Sequence, residues 1–408
     1  MAQGFKRGLI TASGFLALAL AIFGCAVGGG TSGGGGTTSG PTATPSPPRH
    51  ALAWFQTSGS GVDAVGDLWA SVSDGPAHQV THTVSLHQEC NYQIHWGQPT
   101  FSPDLTHILA AQGAASCTDG PENGKLYVVD ATSGAVSEVP GAGIRLTVYQ
   151  SGWIDNTHIW WSDYREVHTY ALGAGSATTL GSIGSSSGSS YSSGGESRLR
   201  GNTVFFVSTS QTTSGGPITY ALKRFDMTTH AVLGGSIALG SVAPCQCSTG
   251  DITGPGFDVS PDGAHVVFQR VAGGIDTGIT SQFFYAGADG SGESRIARYA
   301  TAHAFVDMLI SPNGRLVAVT GAAPAPSTFT ASVTSPGNSG DPDLHFYTSD
   351  AGSYPVWKYD SSGFYASTKG VDVYPPDPSG DILAFTVGTA TGTTAFSGGV
   401  NPWSTIGH

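Results

Sequence analysis

The sequence predicts an all-β protein, a β-propeller of four-stranded antiparallel blades, with seven blades expected and six as the alternative. Three observations predict it. The composition combines 60 Gly and 23 Pro with 39% hydrophobic and only 11% charged residues, which favours short strands joined by tight turns over helices with charged outer faces. A turn-then-strand motif recurs along the chain. A second motif, a strand ending in a tight turn, follows most copies of the first.

In chain order, the first element is an address. Residues 1–24 have Lys6 and Arg7 ahead of the uncharged, mostly apolar stretch from Gly8 to Gly24, the layout of an export signal. The stretch ends Ile22-Phe23-Gly24-Cys25, which resembles a bacterial lipobox; the resemblance implies cleavage before Cys25 and its lipidation, although Phe23 is bulkier than the usual residue there. Residues 25–50 continue as a Gly/Ser/Thr run that turns Pro-rich, a tether that is flexible first and stiffer later. The third element, 51–408, is the expected propeller domain. The expected location is therefore extracytoplasmic, lipid-anchored to a bacterial cell membrane, with membrane contact through the anchor only. A net charge of −12 and the lack of any Lys/Arg-rich run exclude nucleic acid as a partner, because that binding rests on cationic contacts to phosphate.

Four copies of the first motif are clear: those beginning at Phe101, Val259, Ile310 and Pro376, of which Val259-Ser-Pro-Asp-Gly-Ala-His-Val-Val-Phe is the fullest. Pro sets the first turn position, Asp or Asn caps the turn, and Gly takes the left-handed position before an apolar strand. Degenerate copies begin at Trp153 and Arg200, and a headless one at Ala51. The second-strand starts fall near 52, 108, 159, 204, 266, 317 and 383. The third-strand motif follows at Asp67, Lys125, Val167, Leu222, Gln282 and Asp343.

The Ser-Pro-Asp-Gly turn, the apolar strand after it and the later Leu126-Tyr-Val-Val-Asp130 strand resemble the TolB-like, WD40-like propeller repeats of exported bacterial proteins. The resemblance spans roughly 50–390 and implies the fold; it does not imply an activity, since propellers host many.

In a four-stranded blade the second-to-third loops and the inter-blade connections share one face. The sequence puts its length there, at 85–97, 111–124, 181–197, 208–219, 241–255, 269–281, 320–342 and 359–370. Cys90, Cys117, Cys245 and Cys247 fall in these loops. Export permits disulfides; Cys90–Cys117 is geometrically reasonable, while Cys245 and Cys247 either close a local ring or pair elsewhere. Tyr92, Trp96, Tyr191 and Tyr365, with Trp403, are the candidate aromatic binding face for a protein or glycan partner.

No catalytic constellation is legible. Gly-x-Ser-x-Gly occurs at Gly30–Gly34 and Gly184–Gly188, both in low-complexity runs without the strand-to-helix turn a nucleophile elbow needs. His78 and His82 lie about 13 Å apart if in one strand. His107 and His265 occupy matching repeat positions and read as structural. Asp258, His303, Asp307 and Asp372 are the candidate channel residues on inner strands. A ring of carboxylates would suit Ca²⁺ or Mn²⁺, but the offsets of these Asp residues within the repeats differ, so the expectation is no cofactor and no metal site. The expected function is a non-catalytic binding scaffold. The alternative is a carbohydrate-active propeller enzyme, a metal-dependent lyase or a hydrolase using channel carboxylates. A periplasmic assembly module is a third option, with the lipid tether against it.

Overall fold

The recurring turn forms as its residues dictate. Ser102 Oγ donates to Asp104 Oδ1 at 2.7 Å, and the same carboxylate oxygen accepts the Thr106 N–H at 3.1 Å. Ser260 repeats the contact with Asp262, and Ser311 with Asn313 at 2.7 Å. Gly263 and Gly314 both hold φ at 71°. Where the first copy lacks Gly, Leu105 takes φ 62° in its place, a cost the capped turn offsets.

These turns join the strands of a computed structural model that describes residues 49–58, 65–81, 86–87, 94–96, 99–114, 125–142, 151–163, 165–187, 190–213, 215–243, 254–274, 278–302, 306–320, 328–333, 344–347, 353–368 and 380–406. Every regular element among them is a strand. One four-stranded sheet runs Ser151–Trp153, His158–Ser162, Glu166–Ala171 and Thr178–Ser182 in order, all antiparallel. Two more follow the same order, beginning at Asp307–Ile310 and at Ser353–Trp357. The sheet around His107–Ala114 adds both Ile94–Trp96 and Thr100–Phe101 to that strand's inner edge. A ten-stranded sheet holds two such units, begun by Ser190–Arg200 and by Phe257–Val259, which join where Gly240 pairs in parallel with Val271. The remaining sheet is closed by both ends of the domain, because Gly399–Ile406 pairs antiparallel with His50–Ser58. The headless first repeat therefore receives its missing strand from the C-terminus.

Apolar residues alternate along the strands and meet between neighbouring sheets. Phe55 and Leu68 pack with Phe101 and Ile108; Leu126 with Ile159 and Trp161; Trp160 with Phe206 and Phe225. Tyr220 packs with Phe257 and Phe268, Phe283 with Met308 and Phe329, and Tyr347 with Trp357 and Phe364. Val356 and Ile382 then pack with Leu52 and Trp54, which brings the last sheet back to the first. The first strands touch in the same cyclic order. A set of two-faced sheets stacked face to face in a closed cycle is a propeller core.

Four expectations are corrected. The strand Asp381–Thr386, expected as a second strand, is the third of its sheet; the second is Gly363–Ser367. Its turn is Lys358-Tyr-Asp-Ser-Ser-Gly363, in which the Lys358 and Ser361 amides bond as their equivalents do elsewhere and Ser361 takes φ 62°. This turn has no Pro, so the motif search passed it over. The motif at Asp343 supplies the fourth strand, His345–Tyr347; the third is Thr328–Ser332. The span 269–281, expected as a loop, is largely ladder, with pairing from His265–Gly287 out to Gly274–Gly278. The Ser/Gly-rich span 181–197 likewise includes strand residues, paired from Tyr191–Gln211 to Arg200–Thr203. Small side chains weaken the sequence signal for a strand, but their backbones pair as well as any.

Candidate functional site

Glu196, Arg198 and Arg200 alternate along one first strand, so all three project to one face of it. A register shift between Gly194 and Ser197 sets where Glu196 falls. The first strand of the next unit in the same ten-stranded sheet presents Asp258, fully buried. Arg198 Nη2 donates to Glu196 Oε1 at 2.8 Å, while its Nε lies 3.4 Å from Asp258 Oδ1. Arg200 Nε donates to the Val259 carbonyl at 3.1 Å, and its Nη2 reaches Asp258 Oδ1 at 3.4 Å. The other Asp258 oxygen accepts the Ile310 N–H at 2.7 Å. Asp258 thus ties three consecutive first strands together.

Glu196 is 12% exposed. Burial pushes its carboxyl up to about 8; Arg198 works to lower it, and Asp307 and Asp258 to raise it further. Glu196 and Asp307 belong to four-stranded units with another unit between them, yet the charge of Asp307 acts on Glu196. Burial therefore favours the protonated form of Glu196, against the pull of Arg198 at 2.8 Å.

Of the expected channel residues, Asp258 and Asp307 are brought together here, around a glutamate and two arginines that the motif reading passed over. The alternation Glu-x-Arg-x-Arg, in a chain so poor in charge, was the available signal. His303 and Asp372 lie outside the described residues. So do Cys25, Cys90, Cys117, Cys245, Cys247 and Tyr92. Trp96 and Tyr191 fall in the strands Ile94–Trp96 and Ser190–Arg200, and Trp403 in Gly399–Ile406. Tyr365 sits in the middle of the strand Gly363–Ser367, half-buried against the Leu52 and Trp54 cluster, because the loop expected to carry it is a strand. His107 and His265 keep matching places: each backbone N–H is held by a turn serine, and His265 stacks on Tyr285 at 5.0 Å.

The expectation of no cofactor is overturned. Among the described residues Asp163, Glu166 and His168 offer donor atoms that all lie within 4.8 Å of one another, a set able to hold a metal ion. They bracket the turn between the second and third strands of the sheet before Glu196, away from the inner-strand carboxylates first considered. Asp163 Oδ2 lies 3.2 Å and Glu166 Oε2 4.0 Å from His168 Nε2. Burial works to raise the Asp163 carboxyl, but the His168 ring and the Glu166 and Arg165 N–H groups prevail and hold it below the usual range. Asp-x-x-Glu-x-His across a tight turn was legible as spacing, since Glu166 and His168 share a strand face.

The chain matches no family model and no curated protein. It is similar to solved structures. One is an oligogalacturonate lyase in complex with manganese, at 14% identity and a TM-score of 0.50, covering 86% of this chain and 86% of that one. Another is a 6-phosphogluconolactonase-like protein from Bacteroides fragilis, at 12% identity and a TM-score of 0.50, covering 90% of this chain and all of that one. At such identities the likeness shows the fold alone: the chain is a β-propeller.

Proposed function

We propose that this chain is an exported, lipid-anchored propeller enzyme that cleaves glycosidic bonds, with Glu196 as its proton donor. The observation that carries the reading is the buried Glu196 carboxyl on a first strand, 2.8 Å from Arg198, whose protonated form burial and the charges of Asp307 and Asp258 favour. Glycosidic cleavage needs a carboxylic acid that survives unionised until the leaving oxygen takes its proton. Arg198, 2.8 Å away, would orient that acid, and the half-buried Asp307 would supply the facing carboxylate. The lyase neighbour acts on an oligosaccharide, as its name states, and supports carbohydrate as the substrate class.

The finer architecture belongs to the same proposal. The cyclic order of sheet contacts and the two units within the ten-stranded sheet support seven blades closed by the C-terminal strand. The Ser-Pro-Asp-Gly turns support a TolB-like, WD40-like repeat. The apolar leader and Cys25 support the lipid anchor.

One observation favours a second reading. The network ties three first strands through Asp258, which is also what a non-catalytic scaffold needs to rigidify its ring. Purified protein, without the leader, separates the two readings on neutral and uronate polysaccharides. A lyase yields an unsaturated, ultraviolet-absorbing end and a hydrolase yields reducing ends only. Turnover that Glu196→Gln lowers at least about 100-fold supports the enzyme; turnover indifferent to that change, or none on any substrate, returns the scaffold.

A further inference from the structure

Three neighbouring strands of one sheet place a row of side chains side by side. Trp161 is paired in register with His168, and His168 with Thr179. The indole stacks on the imidazole at 5.1 Å and 18°, which fixes the ring plane from one side. On the other side the Thr179 hydroxyl lies 3.1 Å from His168 Nδ1. In the tautomer whose Nδ1–H is donated to that oxygen, Nε2 keeps its lone pair.

That nitrogen is buried, and Asp163 Oδ2 lies 3.2 Å from it. The other oxygen of Asp163 is already engaged, accepting the Arg165 and Glu166 N–H groups at 3.1 and 2.8 Å. The turn thus fixes Asp163 with Oδ2 turned toward His168. Glu166, 46% exposed, approaches to 4.0 Å and is free to rotate closer. Ligands on a metal with bonds of about 2.1 Å stand roughly 3 to 3.5 Å from each other, which these spacings approach. With Nε2 unprotonated, the facing lone pairs repel, and a cation between them turns the repulsion into coordination.

We infer that Asp163, Glu166 and His168 bind a divalent first-row metal, of the zinc or manganese class, with Thr179 holding the ring in place at Nδ1. One imidazole and two carboxylates select for this class over calcium, which takes oxygen ligands alone. The partly exposed Asp163 and Glu166 leave coordination positions open to water. Thr179 is a positioning residue, and groups of its kind tune affinity by about 10- to 100-fold. The inference does not depend on the channel chemistry.

Equilibrium dialysis of the metal-stripped protein against micromolar Zn²⁺, Mn²⁺ and Ca²⁺, read by elemental analysis, tests it. One Zn²⁺ or Mn²⁺ per chain is expected, with Ca²⁺ excluded. Glu166→Gln, at an exposed position that leaves the fold alone, should weaken binding at least about 10-fold, and His168→Ala should abolish it while the circular dichroism stays unchanged. Thr179→Val should weaken binding without changing stoichiometry. Mn²⁺ should also quench tryptophan emission, and Trp161→Phe should remove most of the quenching. A chain that binds neither metal, or that binds as well after both Glu166→Gln and His168→Ala, overturns the inference.

Discussion

The hydroxyls of Ser162 and Ser197 lie 3.2 Å apart in the core, one from each of two adjacent sheets. Ser162 precedes Asp163, and Ser197 stands between Glu196 and Arg198. This buried contact therefore joins the turn of Asp163, Glu166 and His168 to the strand that carries Glu196. Removing one hydroxyl leaves the other without this partner, at about 1–3 kcal/mol, whereas removing both orphans neither. Ser162→Ala and Ser197→Ala should each destabilise the protein, and the double variant should cost less than their sum. Chemical denaturation of the full cycle measures the coupling; strict additivity would show that the contact contributes nothing.

Glu196 sets a pH dependence with a definite sign. Its carboxyl rises from an ordinary 4.5 to about 8 on folding. Between those values the unfolded chain releases a proton that the folded chain keeps, so stability falls as pH rises and levels off above about 8. The loss is on the order of a few kcal/mol. Glu196→Gln, which cannot ionise, should flatten that limb. Thermal midpoints from pH 5 to 9 provide the measurement, and a wild-type curve as flat as the variant's would mean that Glu196 ionises freely.

On the acid side the repeat turns take over. Asp155 is held at about 2: burial works to raise it, but the N–H and hydroxyl of Thr157 and the His158 ring and N–H outweigh that. Asp130, Asp226 and Asp289 are also lowered, chiefly by turn donors. Stability from these groups is present above their ordinary value of 3.8 and lost as pH falls through the folded values. With the opposite limb set by Glu196, maximum stability is expected near pH 4–5. Asp155→Asn should weaken the acid limb and leave the alkaline one unchanged.

Asp258 separates the structural role of the network from the catalytic role proposed for Glu196. It accepts the Ile310 N–H and faces both Arg198 and Arg200. Asp258→Ala strips the buried Arg198 of one anionic partner, and such losses cost about 3–5 kcal/mol. Glu196→Gln keeps a partner for Arg198 and should cost far less. Urea midpoints for the two variants should therefore differ widely, while both lose turnover.

The repeat was legible because its turn needs special residues. Pro, Asp and Gly at fixed offsets are chemistry that a sequence displays, and so six of the seven expected second-strand starts fall on second strands of the described sheets. Lys358-Tyr-Asp-Ser-Ser escaped because it lacks Pro as well as Gly, Ser361 taking the left-handed position. Contacts between sheets left no such trace. Trp153 Nε1 donates to the Thr100 carbonyl at 2.8 Å, and Trp357 Nε1 to that of Leu309 at 2.7 Å. Both are tryptophans of a first strand clamping the sheet before, 53 and 48 residues away in sequence. The Glu196 network and the His168 row are of the same kind. Each joins residues by cross-strand register or blade order, which spacing along the chain does not reveal until the ring is assembled.

Gly240 tests that assembly at the seam of the ten-stranded sheet. It pairs in parallel with Val271 and holds φ at 100°; a Cβ there would stand 1.9 Å from the Val271 carbonyl oxygen. That oxygen belongs to a strand paired along its length with Gly278–Gly287, so it has little room to retreat. Gly235 is the matched control, with φ 82° and nothing within 4 Å of its Cβ position. Gly235→Ala pays only for its backbone conformation, about 1–2 kcal/mol. Gly240→Ala adds the clash and should cost at least about 4 kcal/mol, in the range reserved for disrupted packing. Urea unfolding of both variants reads the difference. Equal losses would mean that the two units of the ten-stranded sheet are not held this close, and that the parallel bridge is no part of what closes the ring.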